Sequence, residues 1–261
     1  MSDTETSAPL APKAETPTKS APLFGQANIT TGLAVLAVIL AGAPYVVPQL
    51  QAHLVRNGLL AKPAMIEEAN QKLATEHDAE VAKQAEAGIA AHHDSIFNDK
   101  ADPAIGTGPI KVVEFLDYNC AYCRAASPYL KQFLVDNPDV TLVVKEYPVV
   151  HPPESATLAA YGLAAFQAGK YADVHYDLLT EKVRSQADVD ALMVKAGLDP
   201  AKAKEMASAP ATLAHINQTI MLGSNLGING TPTFIVGNTM VIGAAQLESA
   251  VKAERARLKK G

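Results

Sequence analysis

Ile110-Lys-Val-Val-Glu-Phe-Leu-Asp-Tyr-Asn-Cys-Ala-Tyr-Cys-Arg124 is the stretch whose reading decides the fold. Residues 110–116 form a short, mostly apolar run, which predicts a buried strand. A helix is expected to follow over about 121–135. Cys120 and Cys123 are the only two cysteines in the 261-residue chain. A disulfide scaffold would use more cysteines at wider spacing. A structural zinc site would need about four ligands, and no second Cys or His pair stands at ligand spacing. No metal site is therefore expected, nor any cofactor. A lone Cys-x-x-Cys at the point where a strand gives way to a helix reads first as a redox site.

Position gives the two sulfurs unequal roles. The first turn of a helix carries free amides and a partial positive charge, and both favour a thiolate at Cys120. Cys123 lies one turn further in, on a stripe with Ala126, Leu130, Phe133 and Leu134 that faces the core. An exposed Cys120 is expected to attack a client disulfide, and a shielded Cys123 to resolve the mixed disulfide. Glu114 has two readings. Set between Val113 and Phe115 in the buried strand, it could carry the proton of Cys123, especially if burial raises its pKa. Otherwise it is an ordinary strand-end carboxylate facing solvent.

Working outward, residues 140–144 read as a second strand, and residues 153 to about 228 carry helical patterns only. Strands are expected at 233–236 and 239–242, joined by the hairpin signal Gly237-Asn238. A final helix is expected over 246–259. This order marks an α/β domain over 102–261. Pro232, in Gly230-Thr-Pro-Thr-Phe234, is compatible with simple strand initiation.

Upstream, residues 1–28 are rich in Pro, Thr, Ser and Ala and read as a disordered leader. Residues 29–47 carry no charge. As a helix they span about 28 Å, close to the hydrocarbon thickness of a bilayer. They are expected to be an uncleaved transmembrane anchor, the alternative being a signal peptide cleaved near Ala43. Residues 48–101 read as a helical stalk. Its apolar positions Ile66, Leu73, Val81, Ile89 and Ile96 make a thin stripe, suited to self-association or to a solvated spacer. His77, His92 and His93 are expected to be exposed. The formal charge of −5 and the absence of tryptophan give no basic surface and no stacking platform for nucleic acid.

The motifs Glu114-Phe-Leu-Asp-Tyr-Asn-Cys-Ala-Tyr-Cys-Arg124, Pro128 and Gly230-Thr-Pro-Thr-Phe234 together resemble the bacterial DsbA family of thioredoxin-fold disulfide enzymes. The likeness is strongest to the branch of the suppressor-of-copper-sensitivity proteins, and covers about residues 90 to 258. The resemblance implies a thioredoxin fold with an inserted helical domain. It implies that Pro232 is cis and packs against the cysteines, and that the Thr231 backbone pairs with an extended client segment. It favours Glu114 as the buried proton carrier. Ala121 and Tyr122 would join Thr231 in contacting the client. Strong oxidases of the family look like Cys-Pro-His-Cys with Val before the cis-proline. Ala121-Tyr122 and Thr231 look more like the periplasmic isomerases and reductases, so a less oxidising disulfide is expected.

The resemblance, the uncharged run and the composition of the stalk together imply partners. These are exported proteins with cysteines, a membrane redox partner that resets the pair, the inner membrane through 29–47, and a second copy of the chain through the stalk. The catalytic domain would lie in the periplasm. The alternatives are a DsbA-like dithiol oxidase and, in another class, a copper(I)-binding module using both thiolates. His151, in a proline-rich turn, could approach the cysteines.

Overall fold

The computed structural model describes residues 24–181 and 183–260. Most of the expected leader lies outside them. Two compact units divide after Lys72. The first contains α1 (Phe24–Ala61) and the opening of α2 (Ala64–Ala91). Helix α1 runs through the stretch expected to span a membrane. Among the described residues no helix is long and apolar enough to cross one. The α1 side chains at 24–30, 40, 42–47, 49 and 50 lie outside that set.

The second unit holds the rest of α2 and then α3 (His93–Phe97), β1 (Ala104–Ile105), β2 (Ile110–Leu116), α4 (Ala121–Asp136) and β3 (Val140–Glu146). Five helices follow: α5 (Pro152–Gln167), α6 (Tyr171–Thr180), α7 (Gln186–Lys195), α8 (Pro200–Ala207) and α9 (Pro210–Asn225). The chain closes with β4 (Thr233–Val236), β5 (Thr239–Ile242) and α10 (Leu247–Leu258). The sheet order is β1-β3-β2-β4-β5. Strands β2 and β3 are parallel, and the other neighbours antiparallel. This is the thioredoxin-like arrangement with helices inserted between β3 and β4.

Both faces of the sheet are covered, which is why β2 reads as a continuous apolar run rather than an alternation. Val112, Leu116, Leu142, Val144, Phe234 and Val236 pack with α4, the inserted helices and α10. Val113, Phe115, Val143 and Ile235 pack on the other side against Ile89, Ile96, Phe97, Leu222 and Leu226. The apolar stripe of α2 therefore divides. Ile66, Leu73 and Val81 are exposed, whereas Ile89 and, beyond the helix, Ile96 are buried in the core.

Local chemistry punctuates the helical block. Proline opens α5, α8 and α9, where its missing N–H costs nothing. Ser185 and Asp188 form a reciprocal capping box on α7. Gly237 takes φ +56° at the β4–β5 turn, as the hairpin signal predicts. Three details depart from expectation. Strand β1 is too short to leave a periodic signal. Helix α8 is a separate short element within a block that read only as helical throughout. Strand β3 runs two residues beyond Val144, because Lys145 and Glu146 are buried and paired rather than solvated.

Candidate active site

Cys120 is the N-cap of α4, with extended backbone (φ −75°, ψ 120°). The loop Asp117–Asn119 sets it there. The Asp117 carboxylate accepts from the Asn119 amide and from the Val150 amide, both at 2.8 Å, tying the turn before the cysteine to the segment after β3. The Arg124 guanidinium donates to the carbonyls of Leu178 at 3.1 Å and Glu181 at 2.7 Å, holding the first turn of α4 against α6.

The Thr231–Pro232 bond is cis, and the Cys120 thiol donates to the Thr231 carbonyl oxygen at 3.1 Å. A contact across 111 positions of sequence thus joins the two motifs. Tyr122 stands 78% exposed beside them, Ala121 is exposed, and Pro232 is buried. Both cysteines are free thiols. The expected contrast in exposure is small. Cys120 is 6% exposed and Cys123 1%, so Cys120 is a covered sulfur, shielded by the Thr231 segment, and not the open one that position on a helix suggests. Cys123 lies on the inward stripe of α4 with Ser127, Leu130 and Phe133. Burial pushes its thiol far up, the charges of Glu114 and Cys120 add to the rise, and the Asp117 backbone opposes it.

Glu114 sits on β2 opposite Val144 of β3 and Phe234 of β4. It is 1% exposed, which excludes the solvent-facing reading. Its Oε2 has no hydrogen-bond partner, and burial raises its carboxyl to about 8. His151 is exposed at the start of α5 and, with Asn119, Glu154, Arg184 and others, lines a cavity of about 460 Å³ whose wall includes neither cysteine.

Several buried polar groups were invisible to sequence reasoning. Glu146 accepts from the hydroxyls of Tyr118 and Tyr171, each at 2.8 Å, and the Tyr118 oxygen lies 3.2 Å from His175 Nδ1. Burial raises Glu146 to about 8 and holds His175 at about 3, a neutral imidazole. A second cluster joins Lys145, Asp102 and His215: Lys145 bonds the Asp102 carboxylate and the Ser95 carbonyl, and His215 lies 3.0 Å from Asp102. Asp99, Asp102 and His215 could together approach one cation. The Lys145 ammonium already occupies that role on Asp102. The partners in both clusters lie 25 to 113 positions apart, so no local pattern announces them.

A Cys-x-x-Cys at a helix start, capped by a cis-proline loop on this fold, is the site of a thiol–disulfide oxidoreductase. The chain belongs to the family of the DSBA-like thioredoxin domain, whose model matches residues 111–253. Solved structures agree. A thioredoxin-like oxidoreductase from Silicibacter pomeroyi is 37% identical, covering 62% of this chain and 97% of that one, at a TM-score of 0.59. ScsC of Proteus mirabilis is 28% identical over 81% of this chain and 98% of its own, at 0.60. The thiol-disulfide exchange protein alpha-DsbA2 of Wolbachia pipientis is 25% identical over 67% and 96%, at 0.61. The curated relatives that match include a Salinispora tropica protein named Na(+)/H(+) antiporter NhaA 3, 28% identical over 143 residues. The chain spans about a fifth of its length.

Proposed function

We propose that this chain exchanges disulfides on cysteine-containing exported proteins, with Cys120 as attacking sulfur, Cys123 as resolving sulfur and Glu114 as proton carrier. The observation that carries this reading is the 3.1 Å contact between Cys120 Sγ and the Thr231 carbonyl. It brings the sulfur beside a backbone segment that an extended client can pair with. In the forward direction Cys120 thiolate attacks a client disulfide, and one client sulfur leaves as thiolate. Cys123 then attacks Cys120, its proton passes to the Glu114 carboxylate, and the second client sulfur leaves. The client is reduced by two electrons and the enzyme pair oxidised. A membrane redox partner returns the pair to its working state.

Isomerase or reductase action is favoured over oxidation. Ala121-Tyr122 places no imidazole between the cysteines to favour the thiolate, and Tyr122 offers an exposed ring to unfolded or misfolded clients. The reduction potential of the Cys120–Cys123 pair tests this. A value near about −120 mV, that of a strong oxidase, overturns it.

The apolar run 29–47 is assigned to the inner membrane, with the catalytic domain in the periplasm. Leu33, Val35, Leu36, Val38 and Ile39 are exposed on α1 and need an apolar cover. The exposed stripe Ile66, Leu73 and Val81 at seven- and eight-residue spacing suits pairing with the same helix of another copy. Sedimentation with and without the stalk tests that pairing, and an unchanged monomer removes it.

A further inference from the structure

Beneath the cysteines lies a second buried carboxyl that the exchange chemistry above does not use. In the parallel pairing of β2 and β3, Glu114 stands opposite Val144, and Leu116 opposite Glu146. Glu114 and Glu146 are thus two register positions apart on adjacent strands. Their alternation places them on the face shared with Val112, Leu116 and Val144, where α4 and the cysteines pack. With strands about 4.8 Å apart and a rise of about 3.3 Å per residue, that diagonal relation puts the two backbone positions about 8 Å apart. Both carboxyls are buried, and each has one oxygen without a partner. The other groups facing them are Asp117, Tyr118 and Cys123 near the helix start, and Tyr171, His175 and Tyr176 from α6. Among the described residues no cation pairs with either carboxyl. Lys145 is taken by Asp102 on the opposite face, and the Arg124 guanidinium is spent on carbonyls.

The two carboxyls differ in one respect. Glu146 Oε1 accepts two tyrosine hydroxyls, whereas among the described residues no hydrogen bond reaches Glu114. Since Tyr118 has one proton and gives it to Glu146, the 3.2 Å contact with His175 makes Nδ1–H the donor to the Tyr118 oxygen. A chain His175→Tyr118→Glu146 therefore points its dipoles at the carboxylate and favours charge there. The chain is closely built. A Cβ on Gly162 of α5 would come within 2.8 Å of Glu146 Oε1 and 2.9 Å of the Tyr118 hydroxyl, so α5 needs glycine at the point where it crosses the network.

We propose that Glu146 is a positioning residue for the proton of Glu114: held by Tyr118 and Tyr171, it takes the first negative charge of the pair, so that Glu114 keeps its proton for the Cys123 sulfur. When a client thiolate attacks Cys120 of the oxidised pair, the Cys120–Cys123 bond breaks and Cys123 leaves with the electron pair. It then takes the proton from the Glu114 carboxyl, which becomes carboxylate. Resolution runs the same transfer backwards and needs Glu114 ionised. Once ionised, Glu146 thus biases the site toward accepting client thiols and restrains resolution.

The inference rests on the proton-carrier reading of Glu114, and the test separates the two. The full chain is loaded with glutathione as a mixed disulfide on Cys120, and the rate of release by Cys123 is followed against pH. Glu146→Gln keeps the oxygen that accepts from both tyrosines and removes the charge. It is expected to move the midpoint of the profile down by about one pH unit, the coupling expected of close buried charges, and to speed release about tenfold on the acidic limb. Tyr171→Phe, which removes one donor, moves the midpoint the same way by less. A Glu114→Gln profile that keeps the wild-type midpoint overturns the proton-carrier reading itself. If Glu114→Gln flattens the profile while Glu146→Gln leaves the midpoint in place or raises it, the role of Glu146 alone is refuted.

Discussion

Glu114→Gln has an effect on stability that can be worked out from burial alone. Glu114 ionises near 4.5 in the unfolded chain and at about 8 in the fold, because burial disfavours its charge. Between those values the folded state binds more protons than the unfolded state, so stability falls as pH rises through the window. The stabilising effect of the proton is fully present below the unfolded value and lost as pH climbs toward the folded one. At 1.36 kcal/mol per pH unit, the loss between about pH 4 and pH 7 is about 3 kcal/mol for this one group. Gln cannot ionise and escapes that loss. It also leaves an amide without a partner, at roughly 1–3 kcal/mol, but that cost does not depend on pH. The pH-dependence of the difference is therefore the quantity to read. Urea unfolding of the dithiol form, wild type against Glu114→Gln, at steps from about pH 4 to pH 8 measures it. The variant gains about 3 kcal/mol relative to wild type between about pH 4 and pH 7. Parallel stability curves, agreeing in slope to within about 1 kcal/mol, would refute the assignment of Glu114 as a carboxyl protonated by burial.

Three further outcomes follow from the geometry. Cys123→Ala leaves Cys120 able to attack but removes the resolving sulfur, so clients accumulate as mixed disulfides that non-reducing gels display, whereas Cys120→Ala abolishes exchange. Lys145→Met strips the partner from buried Asp102 and costs about 3–5 kcal/mol, read as a fall in denaturant midpoint with the site chemistry unchanged. Leu73→Asp with Val81→Asp places charge on the exposed stripe of α2, and sedimentation should then show a monomer where the wild-type chain self-associates.

How far the sequence reaches depends on the separation of the partners. Strand β2, the helix start at Cys120 and the β4–β5 hairpin are each specified within a few residues, and each is legible there. The end of β3 is not. Lys145-Glu146 has the composition of a solvated strand end, and only the fold shows one side chain paired on each face of the sheet. Glu114 is intermediate. Its neighbours say that the strand is buried, but not that no cation comes to meet it.

The Cys-x-x-Cys pair, its place between strand and helix, and the Thr-Pro motif far downstream were all determined by the sequence itself, because the chemistry of exchange needs those residue types at local spacings. Tertiary structure alone decided three things. It covered Cys120 with the Thr231 segment, so its sulfur is nearly as buried as that of Cys123. It removed Glu114 from water. It also placed Glu146 beneath it, with Tyr118, Tyr171 and His175 as donors. Each is a matter of which distant groups share one low-dielectric interior. The energy of a charge there depends on all of its neighbours at once, and sequence separation carries no record of them.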